Sequence, residues 1–220
     1  MQSIERLLLE NKVWAAETKQ RDPNYFKEMA QNQSPEFLWI GCSDSRVSAV
    51  TIMNLRPGEI FVQRNIANQI IATDFNCLSV IQYAVQVLKV RDVIVCGHYN
   101  CGGVKAAMSP QDPELLLANK WLMHIKDLYK LHREEIDALP TRKEQLERLV
   151  ELNVIHQVYN LSHLSIVQDA WEKDRSPTIH GWVYSISDGI LQPLITLPPG
   201  SDIDVIFKQK RVRKTPVPAG

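Results

Sequence analysis

Ile4, Leu7, Leu8, Val13 and Trp14 recur at helical spacing behind Ser3, a good N-cap, and predict a helix over 4–19. Asp22-Pro23 opens a second helix with Tyr25, Phe26, Met29 and Ala30 on one face, and Pro35 breaks the pattern. Phe37-Leu38-Trp39-Ile40 is a continuous apolar run closed by Gly41, the mark of a buried strand. Pro57-Gly58 introduces another strand at Ile60-Phe61-Val62. Asp74 and Asn76 can cap a helix running through Leu78, Val80, Ile81, Ala84, Val85 and Leu88. Val93-Ile94-Val95-Cys96-Gly97 then repeats the strand-then-glycine pattern. Two long helices are predicted, about 113–133 and 141–171, with a turn near Pro140 between them. Strands over 178–183 and 190–197 follow, joined by a hairpin turn at Asp188-Gly189.

Buried strands alternating with helices predict an α/β fold with a mainly parallel central sheet flanked by helices. The N-terminal helices and C-terminal strands extend it, giving a single domain over 1–207 and a basic, proline-containing tail over 208–220. The 220 residues are 45% hydrophobic and 23% charged, ordinary for a soluble globular chain. Twenty-five basic residues balance 25 acidic ones, which removes the electrostatic reason to expect nucleic acid or an anionic membrane as partner. No apolar run approaches the roughly 18 residues of a membrane span. Met1 to Glu10 lacks the basic-then-apolar order of a signal peptide, so a cytoplasmic location is expected. The four cysteines, Cys42, Cys77, Cys96 and Cys101, are then reduced thiols, suited to metal binding or catalysis.

Two segments place metal-ligand residues directly after a predicted strand: Cys42-Ser43-Asp44-Ser45-Arg46, and His98-Tyr99-Asn100-Cys101-Gly102-Gly103. In an open parallel sheet, ligands gather outside the carboxyl ends of the strands, so neighbouring strands would bring both segments to one site. Cys42, Asp44, His98 and Cys101 supply two thiolates, a carboxylate and an imidazole, a set suited to tetrahedral zinc. Either segment alone is a weak signal; the two together are much stronger. Four protein ligands would close the zinc into a structural site. Arg46 offers the alternative: if Asp44 leaves the metal for a bidentate pair with Arg46, the fourth position opens to water, which zinc acidifies. Two thiolates lessen that acidification, so an alkaline activity profile is expected. Gly102 and Gly103 start a helix whose amides could stabilise an oxyanion.

These residues resemble the β-class carbonic anhydrases, and the resemblance extends through Arg64-Asn65, Asn76-Cys77-Leu78-Ser79, Gln82-Tyr83-Ala84 and Gly181-Trp182-Val183-Tyr184. It covers about 3–197 and points most nearly to bacterial members. It implies zinc-dependent, reversible hydration of carbon dioxide to bicarbonate, with one zinc per subunit on Cys42, His98 and Cys101, in a homodimer or homotetramer. Asp44 would either ligate or pair with Arg46 as the catalytic dyad, and Gln33, Phe61, Tyr83 and Gly102 would line the substrate pocket. Trp39, Arg64 and Tyr184 match a subgroup with a second, non-catalytic bicarbonate pocket whose occupancy favours the closed zinc.

The chain departs from the family at Ser48, Val50 and Gln63, where Pro, Glu and His are usual; these bear on the bicarbonate switch and on proton transfer. Two other functions share the same residues: a non-catalytic zinc or bicarbonate-binding protein, and a same-fold hydrolase of an analogue such as CS2. His124, His132, His156 and His163 fall on predicted helices and read as core or surface residues, and His180 as structural.

Overall fold

Ser3 accepts a hydrogen bond from the Arg6 amide at 3.3 Å and starts helix α1 (Ile4–Arg21). A computed structural model describes residues 3–209; the tail beyond Gln209 lies outside them. Helix α2 (Tyr25–Met29) is short, and Trp14 meets Phe26 edge-on, with ring centroids 5.6 Å apart. Among the described residues these helices form one unit, ending at Ser34, and a second unit begins at Pro35.

The second unit runs β1 (Phe37–Cys42), α3 (Ala49–Ile52), β2 (Ile60–Asn65), α4 (Phe75–Gln82), a π-helical stretch (Tyr83–Leu88) and β3 (Asp92–His98). It continues through α5 (Gly102–Ala107), α6 (Leu116–Trp121), α7 (Met123–Leu131), α8 (Arg133–Asp137), α9 (Arg142–His163), α10 (Ser165–Lys173), β4 (Thr178–Tyr184) and β5 (Leu191–Leu197). Strand order is β2-β1-β3-β4-β5, parallel except for the antiparallel β4–β5 hairpin. The expected α/β fold is therefore present, with Leu38, Trp39 and Ile40 of β1 buried on both faces.

Three boundaries differ from the periodicity. Cys42 and His98 are the last residues of their strands, not the first residues beyond them. The predicted helix over 113–133 is broken at Leu122 and His132. Leu122, Ile125, Leu128 and Ile136, spread over the successive short segments, enter one core cluster, so packing decides these breaks. The predicted helix over 141–171 is redirected at Leu164, where the backbone is extended. Val158 and Leu161 before the break and Val167, Ala170 and Trp171 after it enter one core cluster, so packing decides the turn.

Helix α9 is anchored at its start by a capping box between Thr141 and Glu144. It lies close on the sheet because Gly97 carries no side chain there: a Cβ would stand 2.6 Å from the Val154 Cγ2 methyl.

Candidate metal centre and active site

Parallel pairing of β1 with β3, with Gly41 opposite Cys96, brings the carboxyl ends of both strands to one edge. There Cys42, His98 and Cys101 converge, all buried, with their ligand atoms within 4.8 Å of one another. The two sulfurs are 3.9 Å apart. Asn100, with φ of 57°, takes the left-handed turn between His98 and Cys101. His98 Nδ1 donates to the Tyr99 carbonyl at 3.0 Å, which leaves Nε2 with its lone pair free. That buried nitrogen has no hydrogen-bond partner among the described residues.

The Cys42 thiol is pulled down, chiefly because the Cys101 thiol donates to it, with the Ala67 and Asp44 amides adding and burial opposing. Cys101 is pushed up by that same neighbour and by burial, although the Gly103 and Val104 amides favour its thiolate. A divalent cation is what would allow both to ionise. Two soft sulfurs and an orphaned imidazole nitrogen fit zinc and do not suit magnesium or calcium. The Gly103 and Val104 amides of α5 thus serve the Cys101 sulfur.

Arg46 binds Asp44 twice, Nε to Oδ1 at 2.9 Å and the second guanidinium nitrogen to Oδ2 at 2.7 Å; the Arg46 amide adds a third bond at 3.0 Å. These bonds hold the Asp44 carboxyl well below the usual carboxylate range. Its Oδ2 is 3.8 Å from His98 Nε2, so the carboxylate borders the metal position. Arg64 donates to the carbonyls of Cys42 at 2.9 Å and Asp44 at 2.6 Å, tying β2 to the loop that carries the dyad.

Residues 37–191 match the family described as Carbonic anhydrase. The chain belongs to that family, and to its β class. A carbonic anhydrase of Emericella nidulans is 47% identical over 208 residues, 94% of this chain and 90% of the relative. A crystal structure from Sordaria macrospora, described as one of two tetrameric β-carbonic anhydrases, superposes with a TM-score of 0.84 at 36% identity, covering 88% of this chain and 98% of that one. A carbonic anhydrase of Pseudomonas aeruginosa is 36% identical, over 77% of each chain. The expected affinity with a bacterial subgroup is therefore not upheld: fungal members stand nearer.

Of the pocket residues that β-class membership suggested, Phe61 and Tyr83 pack on each other with ring centroids 5.9 Å apart. Tyr83 is part-exposed and opens the π-helical stretch, a device common at functional sites. Gly102 is exposed beside buried Cys101. Gln33 lies exposed in the N-terminal unit. Trp39 and Tyr184 share one apolar cluster, and strand register puts Arg64 on the same sheet face. Gln63 is buried, and its Nε2 has no partner among the described residues. His124, His156 and His163 line a cavity of about 390 Å³ that none of the three candidate ligands borders.

Sequence reasoning missed two hydrogen bonds that tie the surroundings of the candidate ligands to α9. Tyr99 donates its phenol to Glu151 of α9 at 3.0 Å. Burial, with Glu151 adding, pushes that phenol up to about 12, so it keeps its proton. Asn153 of α9 holds the carbonyl of Ala67 at 3.0 Å, and Ala67 is itself left-handed, with φ of 62°. Glu and Asn inside a long helix carry no local signal of such a role; only Tyr99, beside a ligand, offered a hint.

Proposed function

We propose that this carbonic anhydrase holds one Zn²⁺ per subunit on Cys42, His98 and Cys101 and catalyses CO2 + H2O ⇌ HCO3⁻ + H⁺. The observation that carries this is the buried Cys-His-Cys cluster with an unpartnered imidazole Nε2 beside an ion-paired carboxylate. Bound zinc supplies a Lewis acid that acidifies water near neutral pH. Asp44 accepts a hydrogen bond from the reacting water and aims its lone pair at CO2, and Arg46 keeps that carboxylate charged and in place. Phe61, Tyr83 and the Gly102 amide line the CO2 pocket, completed by a second subunit in a homodimer or homotetramer. The thiolate ligands require reduced cysteines, in keeping with a cytoplasmic enzyme.

Asp44 is also a fourth ligand in waiting: released from Arg46, its carboxylate closes the site. Bicarbonate bound at Trp39, Arg64 and Tyr184 would favour that state by drawing Arg64 from the Asp44 carbonyl. The Arg64 bonds to both Cys42 and Asp44 support this coupling.

Stopped-flow CO2 hydration by zinc-loaded protein across neutral to alkaline pH is the test. Fast hydration is expected. Stoichiometric zinc with no hydration at any pH would overturn the reading and leave a zinc or bicarbonate-binding protein, or a hydrolase of a CO2 analogue such as CS2.

A further inference from the structure

The imidazole of His98 is oriented by one bond, from Nδ1 to the carbonyl of Tyr99, so whatever fixes that peptide fixes the direction of Nε2. The peptide sits in an irregular turn between β3 and α5, with left-handed Asn100 directly after it. The Tyr99 N–H, one peptide earlier, donates to the Tyr184 carbonyl at 3.0 Å, across the pairing of β3 with β4. The Tyr99 side chain is held separately: its phenol donates to Glu151 Oε1 at 3.0 Å. Glu151 is held in turn by Arg148, one turn earlier on α9, whose guanidinium reaches Oε2 at 3.0 Å. Arg148 is braced from its other side by Glu135 of α8. The carboxylate is thus part-buried, doubly engaged and mounted on the helix that packs on Gly97, directly before His98 in β3.

We infer that Glu151 is a positioning residue for the metal centre: through the Tyr99 phenol it locks the peptide whose carbonyl orients the His98 imidazole. The inference rests on the zinc reading above and adds a residue that touches neither metal nor substrate. Without the anchor, the Tyr99 peptide and the ring it holds gain freedom, and the zinc–imidazole bond is lost more often. The contribution belongs to metal retention and ligand geometry, not to the ionisation of any group.

The experiment is zinc release from the holoprotein into excess chelator for wild type, Tyr99→Phe, Glu151→Ala, Glu151→Gln and the Tyr99→Phe/Glu151→Ala pair. The visible spectrum of each Co²⁺-substituted form is recorded alongside. Loss of an outer-shell partner commonly costs 10- to 100-fold in metal affinity. Tyr99→Phe and Glu151→Ala are each expected to speed release by about 10-fold and to alter the cobalt spectrum. The double variant should be no faster than the worse single one, because both remove one link. Glu151→Gln keeps an acceptor oxygen for the phenol and should stay near wild type. Singles that fold yet release zinc at the wild-type rate, or effects that multiply in the double variant, would overturn the inference. If Glu151→Ala does not fold, Tyr99→Phe against Glu151→Gln decides it. Wild-type protein that binds no zinc would instead sink the zinc reading, and this inference with it.

Discussion

Arg46 grips both carboxylate oxygens of Asp44, at 2.9 and 2.7 Å, while Asp44 Oδ2 stands 3.8 Å from His98 Nε2. The same carboxylate is therefore within reach of a guanidinium and of the candidate metal position, and in the proposed mechanism Arg46 decides which it serves. Arg46→Ala is expected to lower CO2-hydration kcat/KM by about 100-fold. Arg46→Lys should restore little of it, because a single ammonium cannot make the parallel pair. Melting temperature should barely move, since the Arg46 side chain is 48% exposed. Wild-type kinetics in Arg46→Ala would remove the dyad from the mechanism.

Asp44 is charged throughout the neutral and alkaline range, because Arg46 holds its carboxyl far below that range. A change of rate between about pH 7 and pH 9 would thus report the water and not this carboxylate. Hydration is expected to climb with pH over that interval, as deprotonated water outcompetes Asp44. Activity that falls as pH rises would contradict the ligand-exchange scheme.

Cys42→Ser, His98→Ala and Cys101→Ser each remove one of three buried donors. Elemental analysis should show zinc well below one per chain in all three, with hydration abolished. Chelator treatment of wild type should lower the melting temperature, since a ligand present at 100 times its Kd stabilises by about 2.7 kcal/mol. A melting temperature indifferent to zinc would show that the metal does not bind the folded cluster.

Gly97→Ala drives a methyl to 2.6 Å from Val154 Cγ2. Overpacking of this kind costs about 1–3 kcal/mol. The variant is expected to melt lower, and adding Val154→Ala should recover part of the loss. Denaturant unfolding of the four proteins in that cycle measures it, and undiminished stability of Gly97→Ala would refute the close approach of α9.

His156 is shifted below its ordinary 6.5, by burial first and then by the charges of His163, His124 and His132. Its folded-state value lies below its unfolded one, so between them the unfolded chain binds more protons. Stability is then full above about pH 6.5 and is lost as pH falls toward the folded value. Melting temperature should drop on acidification through this window, with a shallower slope in His156→Gln. Equal slopes would show that the residue does not titrate on unfolding.

Much of this centre was legible because its chemistry is local. Gly41 and Gly97 close apolar runs, thiolate and imidazole follow at once, and Asp44 and Arg46 are only two residues apart. The helical region was less legible. The breaks at Leu122 and Leu164 carry neither proline nor glycine, so only the core they pack into could show them.

By itself, the sequence determined the α/β fold, the three candidate ligands and the Asp44–Arg46 dyad, because strand burial, ligand type and a two-residue spacing are properties of short segments. Tertiary structure alone decided the rest. It closed a sequence separation of 59 between Cys42 and Cys101 to a 3.9 Å sulfur distance by pairing β1 with β3. It also set Glu151, 52 residues from Tyr99 in the chain, against the phenol beside a ligand. An acidic residue within a helix has the same local pattern whether it faces water or supports a metal site, and only packing distinguishes the two.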